Sequence, residues 1–212
     1  MRSAVILVGG QAKRADGQEK SLFEYKGRTF IEILTASLRD ITDEIILAAR
    51  DPEQCERFAF LPEVRCVSDI RKGVGPLGGL HAGTKAAKGE FVFVSACDMP
   101  CVNPKVVRYL FECAKDHDIA VPCHHEKMYE PLHAVYRRDV LLRFLENPDS
   151  RSMRELFPHA KVCYVPVQDI RNYDPELLTF TNINRLDELE QFRISGRLDS
   201  VGRKEDQTKR RT

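Results

Sequence analysis

The 212-residue chain carries 33 basic and 32 acidic residues, a net charge of +1, and 42% hydrophobic content. That balance excludes a global field suited to nucleic acid or membrane, so any anion site has to be local, and the length suits one domain with a substantial core. No apolar run approaches the ~20 residues that span a bilayer and no signal-peptide order opens the chain, so a cytoplasmic protein with no nucleic-acid or membrane partner is expected.

The first apolar run, residues 4–8, reads as a buried strand, and residues 29–39 as a helix in which Phe30, Ile33, Leu34 and Leu38 return every three or four positions. The alternation continues with strand 44–49, helix 52–60, strand 64–67, helix 77–88, strand 91–96, helix 103–116 and strand 119–122. Strands buried on both faces and separated by helices imply right-handed βαβ units. The expected fold is therefore α/β, a Rossmann-like, doubly wound and mostly parallel sheet with ligands at the carboxyl ends of its strands. Beyond residue 122 the rhythm loosens into strands 132–136 and 161–167, short helices 138–146 and 152–157, and a closing helix 185–193 capped by Asn184. Residues 1–195 read as one domain, with a nucleotide half (1–122) and an acceptor half (123–195); the basic tail 196–212 has the composition of a disordered end.

Seven dispersed cysteines, none in a C-x-x-C pair, suit reduced thiols. Cys97-x-x-x-Cys101 straddles Asp98 and Pro100 at a strand end, and Cys123-His124-His125 offers adjacent side chains that cannot easily close on one ion, so neither is read as a metal site.

The segment AVILVGGQAKRADGQEKS, residues 4–21, ends in Lys20-Ser21 but has Glu19 where a P-loop needs glycine. Gly73-x-Gly75-x-x-Gly78 formally matches a dinucleotide fingerprint, with Asp98 at the offset of a ribose ligand. It starts several residues after its strand, however, and Pro76 removes an N–H from the cradle, which makes a dehydrogenase the weakest reading. Taken together, the strand ends present Gly9, Gly10, Lys13, Arg14, Gly17 and Lys20, then Asp69 and Gly75-Pro76-Leu77-Gly78-Gly79, then Asp98. Backbone N–H groups and cations for phosphates, beside a carboxylate suited to Mg²⁺, make a nucleoside triphosphate site. Arg14 and Lys20 would neutralise charge on a leaving pyrophosphate, and Mg²⁺ on Asp98 would bridge substrate oxygens.

These motifs resemble those of the nucleotidyltransferases similar to molybdenum cofactor guanylyltransferase. Leu7-Val8-Gly9-Gly10 followed by Arg14 and Lys20 is similar to the family's L-A-G-G-x-x-x-R-M-G-x-x-K, and Gly75-Pro76-Leu77-Gly78-Gly79 to its G-P-L-A-G turn. Cys97-Asp98-Met99-Pro100 resembles its C-D-x-P, and Phe180-x-Asn182-Ile183-Asn184 its F-x-N-I-N. The resemblance, which spans residues 4 to about 192, implies a nucleotide-diphospho-sugar transferase type of fold. It implies that the backbone of Leu7, Val8 and Gly9 contacts guanine, Lys20 holds phosphates, Asp69 contacts the nucleotide, Asp98 binds Mg²⁺, and Asn182 and Asn184 face the pterin acceptor. The implied reaction joins GMP from GTP to the terminal phosphate of the molybdopterin cofactor, carrying molybdenum or tungsten, with a cofactor-insertion protein or target enzyme downstream. A phosphate acceptor is already ionised near neutral pH, so no general base is required. Val8 for the usual Ala, Ala15-Asp16 for Met-Gly, and Ala48 where an Asn is common are the departures. Transfer from CTP, a sugar-phosphate or corrinoid-precursor acceptor, and a non-catalytic nucleotide-binding adaptor stand as alternatives.

Overall fold

The computed structural model describes residues 1–9, 19–71, 73–125 and 128–194, and the backbone alone at 193 and 194. The predicted tail 196–212 and the predicted site residues Gly10 and Arg14 lie outside the described residues.

Strand β1 (Arg2–Leu7) leads, past a 3₁₀ turn at Lys20–Leu22, into a two-stranded hairpin, β2 (Glu24–Tyr25) and β3 (Arg28–Thr29). The hairpin was not anticipated from the sequence; its turn residues Lys26 and Gly27 have φ of 51° and 75°, the pair of positive values that a tight hairpin requires. Thr29 then caps α1 (Phe30–Leu38) in a capping box with Glu32. Strand β4 (Glu44–Ala49), α2 (Pro52–Glu56), β5 (Arg65–Ser68), α3 (Pro76–Ala86), β6 (Phe91–Ala96), α4 (Pro104–Ala114) and β7 (Ile119–Cys123) complete the nucleotide half's alternation. β8 (His133–Arg137), α5 (Arg138–Glu146), a 3₁₀ segment Met153–His159, β9 (Val162–Pro166), α6 (Val167–Ile170) and α7 (Leu186–Ile194) follow.

The seven-stranded sheet runs β5-β4-β1-β6-β8-β7-β9. Six strands point one way and β8 alone opposes its neighbours β6 and β7. The connection from β7 to β8, residues 124–132, is shorter than a parallel crossover, so the chain returns antiparallel. Two helix expectations are corrected. α2 stops at Glu56 and continues as i→i+3 turns ahead of Pro62, which disfavours helix in the residue before it. The 152–157 stretch winds as 3₁₀, with Ser152 accepting from the Arg154 N–H and Pro158 inside the segment.

Alternation along β1 decides the packing. Ala4 and Ile6 face one layer with Leu34 of α1 and Leu110 of α4, whereas Val5 and Leu7 face the other with Leu80 of α3 and Leu141 of α5. A third cluster joins Phe23, Tyr25 and Phe30 to Ile183, Leu189 and Phe192, docking the C-terminal segment on the hairpin that follows Lys20. No helix among the described residues is long and apolar enough to cross a membrane.

α3 lies so close to β1 that a Cβ on Gly83 would come 2.5 Å from Val5 Cγ1. Gly83→Ala is expected to force the helix off the sheet at a cost of about 2 kcal/mol, the ordinary scale of overpacking. For a chain of this size, a thermal melt should show a fall of roughly 4–8 °C, and an unchanged midpoint would contradict the packing.

Candidate active site

Leu7 ends β1 opposite Ala48 of β4 and Ala96 of β6, so the chain leaves the sheet at the point where strand order reverses. The N–H groups of Val8 and Gly9 both donate to the Ala48 carbonyl, at 3.0 and 3.1 Å. The Leu7 carbonyl accepts from Cys97 N at 3.1 Å, and the Val8 carbonyl from Gln54 Nε2 at 3.1 Å. The backbone donors of Val8 and Gly9 are thus engaged inside the fold, and the Leu7 and Val8 carbonyls keep their second lone pairs as acceptors. Gln54, which sequence reasoning missed, is 1% exposed and also takes the Arg50 N–H on Oε1 at 2.8 Å. Its one legible signal is Asp51-Pro52-Glu53-Gln54, a helix start in which Asp51 caps the Gln54 N–H. Ala48 is buried, its Cβ packed beneath Gly79, so this position presents no polar group to a base.

The second loop wraps a carboxylate. Gly75, with φ of 62°, is the N-cap of α3 and Pro76 its first residue. Gly78 and Gly79 follow in the first turn, against Asp69. A Cβ on Gly79 would lie 2.8 Å from Asp69 Oδ1, and one on Gly78 3.1 Å from Oδ2 and against the Arg71 carbonyl. Of the formal dinucleotide fingerprint, Gly78 is the glycine that approaches Asp69, joined there by Gly79. Oδ1 of Asp69 is buried with no hydrogen-bond partner among the described residues, and burial pushes this carboxyl up to about 6.

A raised carboxyl sets the sign of a pH effect. Below the ordinary value near 3.8 the group is protonated whether the chain is folded or not; as pH rises towards 6 the unfolded chain ionises first, so folding loses stability there and the deficit persists at neutral pH. After discounting for partial exposure, Asp69→Asn is expected to gain about 1 kcal/mol at pH 7.5, seen as a rise of roughly 2–4 °C in melting temperature. The gain should vanish near pH 4. An equal gain at both pH values would contradict the assignment. His133 acts in the opposite sense: buried between the rings of Phe93 and Phe180, with Nε2 3.1 Å from Thr179 Oγ1, it is held at about 3 by desolvation. Stability from this residue is full above its unfolded value near 6.5 and is lost as pH falls towards 3.

The third element joins the two halves of the chain. Lys20 Nζ lies 3.1 Å from Asp98 Oδ2 and donates to Asn184 Oδ1 at 2.5 Å, and the Ile183 N–H donates to the Asp98 carbonyl at 2.8 Å. The Lys20 and Asp98 side chains are 24% and 19% exposed, open enough to meet a ligand. Asn184 was expected to cap the closing helix. α7 starts instead at Leu186, Glu188 of its first turn accepts the Asn184 N–H at 2.7 Å, and the Asn184 amide is turned to Lys20. Asn182 is exposed two residues away, on the other side of buried Ile183. The cysteines are free thiols, and burial pushes Cys97 and Cys101 up to about 12.

The Asp98 carboxylate, 19% exposed beside Lys20, is of the type that Mg²⁺ takes when one or two carboxylates hold it together with substrate phosphates. Strand ends at a switch point that carry a glycine turn, a lysine and an aspartate are the architecture of a nucleotidyltransferase. The model for the MobA-like NTP transferase domain matches residues 4–163, and the chain belongs to that family. It is 42% identical over 203 residues to a probable molybdenum cofactor guanylyltransferase of Methanosarcina acetivorans, with 90% of this chain and 89% of that protein covered. It is 32% identical over 198 residues to the molybdenum cofactor guanylyltransferase of Syntrophotalea carbinolica, covering 92% and 91%. Among solved structures, molybdopterin-guanine dinucleotide biosynthesis protein A from Archaeoglobus fulgidus superposes with a TM-score of 0.77 at 30% identity, covering 93% of this chain and all of that one.

Proposed function

We propose that the protein transfers GMP from GTP to the terminal phosphate of the molybdenum cofactor's molybdopterin and releases pyrophosphate. The observation that carries this reading is the Lys20 ammonium shared between Asp98 and Asn184. It brings a phosphate-binding cation, a metal-type carboxylate and the C-terminal block that distinguishes the cofactor enzymes to one point. An oxygen of the acceptor phosphate attacks the α-phosphorus of GTP, the bond to the bridging oxygen breaks, and its electron pair leaves with pyrophosphate. Lys20 moves onto the phosphates and offsets the charge that accumulates there. Mg²⁺ held by Asp98 would supply further charge neutralisation across the triphosphate. Base choice falls to acceptor groups: the remaining lone pairs of the Leu7 and Val8 carbonyls, and the carboxylate of Asp69, suit the N1–H and 2-amino donors of guanine. Nucleotide contacts are proposed for Gly9, Gly10, Gly75, Pro76, Gly78 and Gly79, a phosphate contact for Arg14, and acceptor contacts for Asn182 and Asn184.

Pyrophosphate release measured with molybdopterin and each of the four NTPs tests the whole reading. GTP with Mg²⁺ should be the active combination. Turnover with CTP in place of GTP would overturn the base assignment, and GTP binding without release for any acceptor would favour a non-catalytic adaptor.

A further inference from the structure

The acceptor half also holds a carboxylate, Glu130, which opens the Glu130-Pro131-Leu132-His133-Ala134 block that resembles the cofactor enzymes. Glu130 stands in the loop between β7 and β8, and backbone bonds among the described residues tie that loop: Glu130 N to the Pro122 carbonyl at 3.1 Å, His133 N to the Glu130 carbonyl at 3.0 Å, His124 N to the Met128 carbonyl at 3.0 Å and Met128 N to the His125 carbonyl at 3.0 Å. His124 Nε2 and Glu130 Oε1 are hydrogen-bonded at 2.9 Å. The two side chains are 22% and 27% exposed, so the pair is positioned and still open. The His124 ring meets Phe180 edge-on at 5.5 Å, and Phe180 begins the segment that ends with Asn184 on Lys20. One wall of contacts therefore runs from Lys20 and Asn184, by way of the 180–184 segment, to Phe180, His124 and Glu130.

We infer that Glu130, oriented by His124, recognises the 2-amino and adjacent ring N–H edge of a pterin acceptor, placing His124 as a positioning residue. That edge offers two parallel donors, the same fork that arginine presents to carboxylates, and Glu130 keeps Oε2 and a second lone pair on Oε1 to accept both. An acceptor whose phosphate lies at Lys20 has its ring carried along this wall, with aromatic and imidazole rings for its apolar faces. The inference rests on the guanylyl transfer proposed above, and its test is chosen to stand apart from that reading.

Fluorescence titration compares 6-hydroxymethylpterin with 6-hydroxymethyllumazine, which has an oxygen in place of the 2-amino group, on the GTP-loaded protein. The wild type should bind the pterin about tenfold or more tightly than the lumazine, because a site built to pair a donor edge rejects the analogue lacking it. Glu130→Gln should abolish that preference, raise the KM for molybdopterin about tenfold with kcat little changed, and leave GTP affinity as it was. Glu130→Asp, which keeps the carboxylate, should retain part of the preference and covers the case in which the glutamine variant folds poorly. His124→Phe should reduce the preference without removing it. A wild type that does not distinguish the two rings, or a Glu130→Gln protein that still does, would overturn the inference and leave His124 and Glu130 as a hydrogen-bonded pair without a part in acceptor recognition. A wild type that binds pterin selectively but releases no pyrophosphate with molybdopterin would count against the guanylyl reading alone.

Discussion

Lys20→Met is expected to lower pyrophosphate release from GTP and molybdopterin by about 10²- to 10³-fold, the loss typical of removing one preorganised group that stabilises transition-state charge. Methionine keeps much of the length of the side chain and deletes the ammonium, so the effect isolates charge. The same substitution releases Asp98 and Asn184, which Lys20 contacts at 3.1 and 2.5 Å. Divalent-cation binding by the nucleotide-free protein, followed by Mn²⁺ electron paramagnetic resonance, should therefore be tighter in Lys20→Met than in the wild type. In the wild type, Mn²⁺ binding should strengthen when an α,β-non-hydrolysable GTP analogue draws the ammonium away. Full activity in the variant would remove Lys20 from the proposed machinery, and unchanged Mn²⁺ binding would show that the lysine does not compete for Asp98.

Asp98→Asn is expected to cost a similar 10²- to 10³-fold in turnover, for a different reason. The amide preserves shape and one acceptor oxygen but removes the negative charge proposed to hold Mg²⁺, a hard cation that prefers carboxylate oxygen. GTP binding without added metal should stay within a few-fold of the wild type, since Lys20 is then freed for phosphate, whereas the increase in affinity caused by Mn²⁺ should be lost. The two substitutions should also couple in the folded protein. Each alone leaves a partly buried partner uncompensated, so melting temperatures of the two single variants and the double variant should give a stability loss smaller than the sum. Additive losses would contradict the ion pair, and an Asp98→Asn enzyme of full activity would end its role as metal ligand.

Much of the fold was legible because its cues are local. Residues 4–8, 44–49 and 91–96 are short apolar runs with helical spacing between them, and both neighbours of β1 run parallel to it in the structure. The helical stretches read from Thr29 and from Asn103 do begin there, those two residues serving as the N-caps of α1 and α4. Asn184 failed as a cap although its chemistry suits one, because a lysine 164 positions away in the chain competes for the same oxygen. β8 gave no sign of its direction in its own residues, since the length of the preceding loop decides it.

The residue types of the site, glycine turns followed by a lysine and an aspartate after buried strands, could be read from the chain because backbone approach and phosphate charge demand those types in any fold. Their meeting could not. The Lys20–Asp98–Asn184 contact depends on Phe23, Phe30, Ile183 and Phe192 burying one another, and the seat of Val8 and Gly9 depends on the Gln54 amide and the Ala48 carbonyl. These are contacts between segments remote in sequence. Hydrophobic period and turn chemistry act over a few residues, whereas the free energy that brings such segments together is gained only when the whole sheet is assembled and its faces are covered.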